Sequence, residues 1–589
     1  MQELLSFYQN RIKKNSALLG DVKKKLFASS MIRLTVFLLS VVGLYFFFDQ
    51  IKIVTGIVIV TIILFLFLVS RHSDLQYQKA KLRSLVKINE QEIAVLQRKY
   101  FDLPEGNEYK DPSHHFAQDI DLFGRGSFYQ YINRTVLPAG SERLASVLKE
   151  NVITDVVEKQ NAVQELGNMP EWRQEFLAIG GLTQSETELN ALISWLKNYK
   201  SFVPKTMRYI PLVFSLASIG ALALFFLDQI PESFLIYWVL FGLMVTGIFT
   251  RKITKLGNDA GKLQSTFQQY GKLVAILEET SFKSTLLHHQ KERLKAENKN
   301  ASAVLEQFSK LLANLDQNNN FIYLIFGNGL FLRGLTTCFN IEKWISANKD
   351  FVKDWFDVIS FFDAQITLGN FAFNHPDYTF PKINKDGNIK TEGAGHPLLH
   401  PQKSVLNDYE IKKEEFFIIT GANMAGKSTF LRTVSLQIVM ANIGLPVCAK
   451  NVAYTPIKLI TSMRTTDSLT DDESYFFSEL KRLKFLVDEI QEDRYFIVLD
   501  EILKGTNSTD KAEGSRKFVE RLVASKATGI IATHDLSLCE IAEELPQVKN
   551  HYFDAEIIAD ELHFDYKFKK GICQNMNASF LLKKMEIVD

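Results

Sequence analysis

The run Gly421-Ala422-Asn423-Met424-Ala425-Gly426-Lys427-Ser428-Thr429 fits the pattern G-x-x-x-x-G-K-[ST]. Its two glycines let the backbone wrap phosphate oxygens, whose charge is met by amide N–H groups at the start of the following helix. Lys427 is placed to reach β- and γ-phosphates, and Ser428 to hold Mg²⁺. A second cluster is Asp500-Glu501. Two adjacent carboxylates closing an apolar run are costly without a cation and a task. Asp500 suits Mg²⁺, bound through water, and Glu501 suits the orientation and deprotonation of an attacking water. The third is Thr533-His534, from which the imidazole can reach a γ-phosphate. The chemistry these residues would perform is Mg²⁺-dependent ATP hydrolysis, with Glu501, His534 and Lys427 as catalytic candidates.

Each cluster follows a segment that can position it. Phe416 to Thr420 is a short apolar strand running into the glycine loop, and Phe430 to Val439 reads as the helix after it. Tyr495 to Leu499 is a strand ending at the carboxylates, and Thr528 to Ala532 one ending at Thr533-His534. Three apolar strands that deliver phosphate chemistry at their C-terminal ends imply an α/β sheet with its ligand on that edge. Upstream the pattern is helical. Leu144, Val147 and Leu148 form one apolar stripe, and Leu305, Phe308, Leu312 and Leu315 another, at i, i+3, i+7, i+10. The second is expected to be core packing.

The chain has 589 residues, too many for one core. Lys plus Arg (68) nearly balance Asp plus Glu (67), so bulk charge favours no nucleic-acid partner. Cys338, Cys448, Cys539 and Cys573 lie far apart, which suits a reducing compartment and gives no zinc or disulfide framework. The pairs His114-His115 and His288-His289 lack companions at ligand spacing. Apolar runs are the other strong signal. Leu34 to Phe48 and Ile53 to Val69 form one pair, and Tyr209 to Leu227 and Ser233 to Phe249 a second. Each run approaches the ~20 residues that cross a bilayer. Large segments flanking the pairs carry lysines and arginines such as Lys24, Arg71, Lys205 and Arg251, whereas the two short turns hold only Lys52. That asymmetry predicts both termini and all large segments in the cytoplasm. Phe321 to Leu332 is shorter and is expected to be a core helix of the soluble part.

The run Thr420 to Thr429, with its Asn423-Met424, closely resembles the phosphate loop of the MutS family of mismatch-repair ATPases. Asp500-Glu501-Ile502, Gly505-Thr506 and Asp510 resemble the same family's second motif, and Ala532-Thr533-His534 its switch histidine. Glu392-Gly393 and His396-Pro397 resemble the segment leading into that ATPase domain, although Ala394-Gly395 alters the spacing. Asp467, Leu469, Ser474 and Phe476 resemble the segment that supplies a serine across the dimer, which implies that Ser474 touches the γ-phosphate of a partner's ATP. In the family an apolar or aromatic residue before the loop's strand stacks on adenine. Val405 and Leu406 are the candidates here, and Tyr566 is either a second stacking partner or a core tyrosine. More weakly, Leu122-Phe123, Thr135, Pro138, Gly140 and Leu144 resemble the start of the family's helical core. The resemblance is dense over roughly 390–589. Residues 1–110 hold no Phe-x-Glu mismatch wedge, and the second apolar pair falls where a DNA clamp would be inserted.

The expected fold is therefore an α/β P-loop (ABC-like) ATPase domain at the C-terminus, preceded by an all-α core and lever and two transmembrane hairpins. In order these are an N-terminal helix (1–30), hairpin 1 (31–69), helix and linker (70–112), helical core (113–208), hairpin 2 (209–249), lever and second core part (250–389) and ATPase domain (390–589). The resemblance implies ATP and Mg²⁺ as cofactors and a homodimer. The location expected is the inner membrane, multi-pass, with the ATPase domain in the cytoplasm. A membrane-tethered DNA repair or recombination factor is the alternative. An ABC transporter is a third reading, and the lack of an LSGGQ-like signature counts against it.

Overall fold

The computed structural model describes residues 2–182, 189–296, 299–317, 323–464, 475–558, 561–574 and 586–587. Two very long helices open the chain, α1 (Gln2–Phe46) and α2 (Ile51–Leu96), and pack against each other as an antiparallel hairpin. The seam of α1 is Tyr8, Asn15, Val22 and Ser29, a seven-residue repeat of the coiled-coil kind. Higher up, Thr61 Oγ1 donates to Ser40 Oγ at 3.1 Å. The apolar upper halves are bare, with Tyr45 80% and Phe46 75% exposed. Both helices are long and apolar enough to cross a membrane.

The helical core follows. Its members are α3 (Pro138–Lys149), α4 (Val156–Gly167) and α5 (Pro170–Gly180), then an apolar pair α6 (Ile210–Phe226) and α7 (Glu232–Gly247). This second pair differs from the expected full spans. Its helices have 17 and 16 residues, and α7 bends by 63° into α8 (Thr250–Glu279). Counting the bent pair as one span raises the candidate crossings among the described residues from two to three. The stretch 255–317 is folded back on itself, with α9 (Ala301–Asp316) packed along α8. Leu305, Phe308, Leu312 and Leu315 are all buried, as their spacing requires.

Phe321 to Leu332 corrects an expectation. Its described part, a wide helical turn Tyr323–Asn328 and a short helix Gly329–Phe331, packs between α6 and α7 instead of in the soluble core. Gly242 on α7 allows this approach, because a Cβ there would overlap the carbonyl of Gly329. An apolar run states that it must be covered and not by what.

From Leu332 the chain enters α10 (Arg333–Asn374), whose 42 residues run unbroken to the edge of the ATPase domain. Asp363 on α10 is fully buried and accepts from the N–H groups of Val136 and Leu137, closing the exposed N-terminus of α3 in place of a cap residue. Burial pushes its carboxyl up to about 7. Gly140 leaves room for that carboxylate, which a Cβ would overlap.

The last third is α/β. Strand β1 (Ile389–Ala394) lies between β2 (Asn407–Ile411) and β4 (Asn451–Tyr454) and pairs with both in a small side sheet. The main sheet holds β3 (Phe416–Gly421), β5 (Lys458–Ser462), β6 (Tyr495–Asp500), β7 (Thr528–Ala532), β8 (Val548–Phe553) and the short β9 (Lys569–Lys570). Their order is β9-β8-β3-β7-β6-β5, all parallel except β9. Helices α11 (Lys427–Asn442), α12 (Tyr475–Glu492) and α13 (Ser508–Ala524) complete it. All six residues of β3 are buried, as a strand covered on both faces must be.

Candidate active site

Register aligns the three chemical clusters. Ala532 pairs with Ile419 on one side and with Asp500 on the other, so β3, β7 and β6 end together. The loop after β3 turns through Gly426 (φ 106°) into the first turn of α11. Lys427 is buried, and its Nζ donates to the carbonyls of Gly421 (2.7 Å) and Ala422 (3.0 Å). Burial lowers its pKa, against the opposing pull of Asp500 and Glu501. Ser428 Oγ donates to Asp500 Oδ2 at 2.7 Å. A hydroxyl and a carboxylate brought together beside the phosphate loop are the hard oxygen donors Mg²⁺ takes, with phosphate and water supplying the rest. No cluster of three or more His, Cys, Asp or Glu occurs among the described residues, so no competing metal cage is present there.

Glu501 sits in the left-handed region (φ 51°), a strained conformation held by its N–H bond to Ala532 O (2.9 Å). Its Oε1 is 3.0 Å from His534 Nε2, and its Oε2 is 3.7 Å from Lys504 Nζ. The same imidazole nitrogen lies 3.2 Å from Lys427 Nζ. One nitrogen cannot both accept from the ammonium and donate to the carboxylate, so His534 can switch between them. Its pKa is lowered, first by burial and next by Lys427, with Glu501 and Asp500 opposing. The imidazole is therefore neutral at pH 7. Hydrolysis is expected to hold steady as pH falls to the ordinary histidine value of 6.5 and to decline only below it. A rate that instead rises as pH falls through that value would mean that the imidazolium is the working form.

Tyr566 overhangs the loop, since a Cβ at Gly426 would lie 3.2 Å from its ring. Asn407 fixes it there, donating to Tyr566 O (3.0 Å) and accepting from the Phe568 N–H (2.9 Å). The half-buried Val405 and the more exposed Leu406 immediately precede Asn407 in the chain. Ser474, with Asp467 and Leu469, lies outside the described residues. Asn423, Met424 (φ 65°, exposed), Ala425 and Thr429 complete the loop and the first turn of its helix.

Glu479 escaped the sequence reading. It is buried on α12 and accepts from the N–H groups of Leu503 (2.6 Å) and Lys504 (3.0 Å), anchoring the loop that carries Glu501. Burial raises its pKa despite those bonds. The one available signal was an acidic residue inside an otherwise apolar helical face.

A parallel sheet whose central strand runs into such a loop, with flanking strands delivering Asp-Glu and His to the same edge, defines a P-loop nucleotide-binding domain. The family model for MutS domain V matches residues 417–585. Human MutS protein homolog 4 is 30% identical over 242 residues, 39% of this chain and 25% of that protein. The DNA mismatch repair protein MutS of Natronomonas pharaonis is 30% identical over 241 residues, 40% and 28% of the two chains. That of Halothermothrix orenii is 31% identical over 223 residues, 36% and 25%. Over residues 417–585 the chain is thus similar to the MutS family through that family's domain V. It spans about a quarter of the length of these relatives.

Proposed function

We propose that this chain is a membrane-anchored MutS-like ATPase that hydrolyses ATP in a homodimer and converts the cycle into movement of its helical part. The observation that carries the reading is the convergence of Lys427, Ser428–Asp500 and Glu501–His534 on one sheet edge. Lys427 would bind the β- and γ-phosphates, while Ser428 and Asp500 would hold Mg²⁺, which supplies charge neutralisation on the phosphate oxygens. Glu501 would orient a water and take its proton as the water oxygen bonds to the γ-phosphorus and the bridging P–O bond breaks. His534 would follow the state of that carboxylate. Tyr566 and Val405 would flank the adenine. Ser474 would reach the partner's γ-phosphate when the dimer closes.

The membrane part of the reading draws on the bare apolar surfaces of α1, α2, α6 and α7, larger than soluble monomers tolerate. The inner membrane with a cytoplasmic ATPase domain follows from the lysine and arginine asymmetry. The DNA-handling alternative draws on the printed names of the relatives, and balanced charge gives it no support. The test is the ATPase rate of the detergent-solubilised chain with and without duplex and branched DNA. A rate indifferent to DNA is expected. Strong stimulation by either DNA would overturn that ordering and make the chain a tethered DNA-handling machine.

A further inference from the structure

A cavity of about 670 Å³ lies at the foot of the α6–α7 pair. One wall comes from the helix Leu189–Asn198 and the irregular segment after it, which contribute Trp195, Tyr199, Lys200 and Phe202. The other is the start of α8, with Lys252, Lys255 and Asp259. The first wall leads through the turn Lys205–Arg208 into α6, and the second begins directly after α7. The cavity is thus framed by the chain entering and leaving the apolar pair. Just above, the surface turns apolar, with Tyr209 61% and Ile248 74% exposed.

Its charge is unbalanced. Three lysines face one carboxylate, and Asp259 accepts from Trp195 Nε1 at 3.4 Å. Among the described residues none of the three lysines is in an ion pair; Lys252 Nζ lies over the Phe202 ring at 5.7 Å. Lys197, Lys205, Arg208 and Arg251 add the same sign in adjoining turns. Unpaired ammonium groups gathered in a concave, aromatic-walled site favour an anionic ligand. A free anion would satisfy the amines and leave the aromatic wall and the apolar lip unused. A lipid phosphate uses both, because its acyl chains continue onto α6 and α7.

We propose that this cavity binds the phosphate headgroup of an anionic glycerophospholipid, held by Lys200, Lys252 and Lys255. The site rests on the membrane reading above, and because α8 leads from it into the core, headgroup binding would bear directly on the helices that follow. The test uses the full chain in neutral detergent and titrates dioctanoyl phosphatidylglycerol, dioctanoyl phosphatidylcholine and inorganic phosphate by native mass spectrometry. Saturable binding of the phosphatidylglycerol is expected, at least about tenfold tighter than either other probe. The exposed pair Lys252→Gln/Lys255→Gln is expected to weaken it by about tenfold or more. Equal binding of phosphatidylcholine, equal binding of inorganic phosphate, or a double variant indistinguishable from the native chain would each overturn the proposal. Carbonate extraction of native membranes reads the membrane reading separately. A chain stripped by carbonate sinks that reading, whatever the micelle titration gives.

Discussion

Glu501→Gln is expected to bind ATP as the native chain does and to hydrolyse it about a hundred- to ten-thousandfold more slowly. The amide keeps the shape of the side chain and its approach to His534 Nε2 at 3.0 Å, but cannot take a proton from water. Lys427, Ser428 and Asp500, which would hold the nucleotide and Mg²⁺, are untouched by the change. A filter-binding measurement beside a phosphate-release assay separates the two steps. If the variant keeps more than about a tenth of the native rate, general-base catalysis by Glu501 is wrong. Lys504, 3.7 Å from the carboxylate, or His534 would then be the place to look.

Arg134→Met is expected to give the largest loss of stability. Arg134 and Glu92 are both buried and bonded Nε to Oε1 at 2.6 Å. The other carboxylate oxygen accepts from Asn374 Nδ2 (2.8 Å), whose Oδ1 accepts from Tyr8 (2.6 Å). Removing the guanidinium strands a buried charge, at a cost of roughly 3–5 kcal/mol. The apparent melting temperature should fall steeply. Adding Glu92→Gln should recover part of the loss, since the charge goes while an acceptor for Asn374 stays. A single variant that melts with the native protein would show that water already reaches Glu92.

What the sequence made legible was whatever chemistry or periodicity forces locally. Phosphate binding demands glycines, a lysine and a hydroxyl in a fixed order, so Gly421 to Thr429 could be read directly, and Asp500-Glu501 and His534 announced themselves by following apolar strands. The stripe from Leu305 to Leu315 was legible because helical burial repeats. What stayed hidden depends on partners distant in the chain. Glu479 works by accepting N–H bonds from a loop 24 and 25 residues away. Asn374 and Glu92 are separated by 282 residues. The approach of the Tyr566 ring to Gly426, 140 residues earlier in the chain, left no trace in local spacing either. The wedge between α6 and α7 was misplaced because hydrophobicity is not addressed to a particular neighbour.

The unbroken helix α10 has a mechanical meaning. At ~1.5 Å per residue its 42 residues make a rod about 63 Å long. One end, Asn374, is clamped with Tyr8 and Glu92 at the roots of the first hairpin. The other follows directly on the wedge Gly329–Phe331 between α6 and α7. A tilt of about 5° at the clamp would sweep the far end by about 5 Å, roughly one helical turn. A small movement at the clamp would thus arrive at the apolar wedge enlarged. In engineering terms the helix has the proportions of a lever arm.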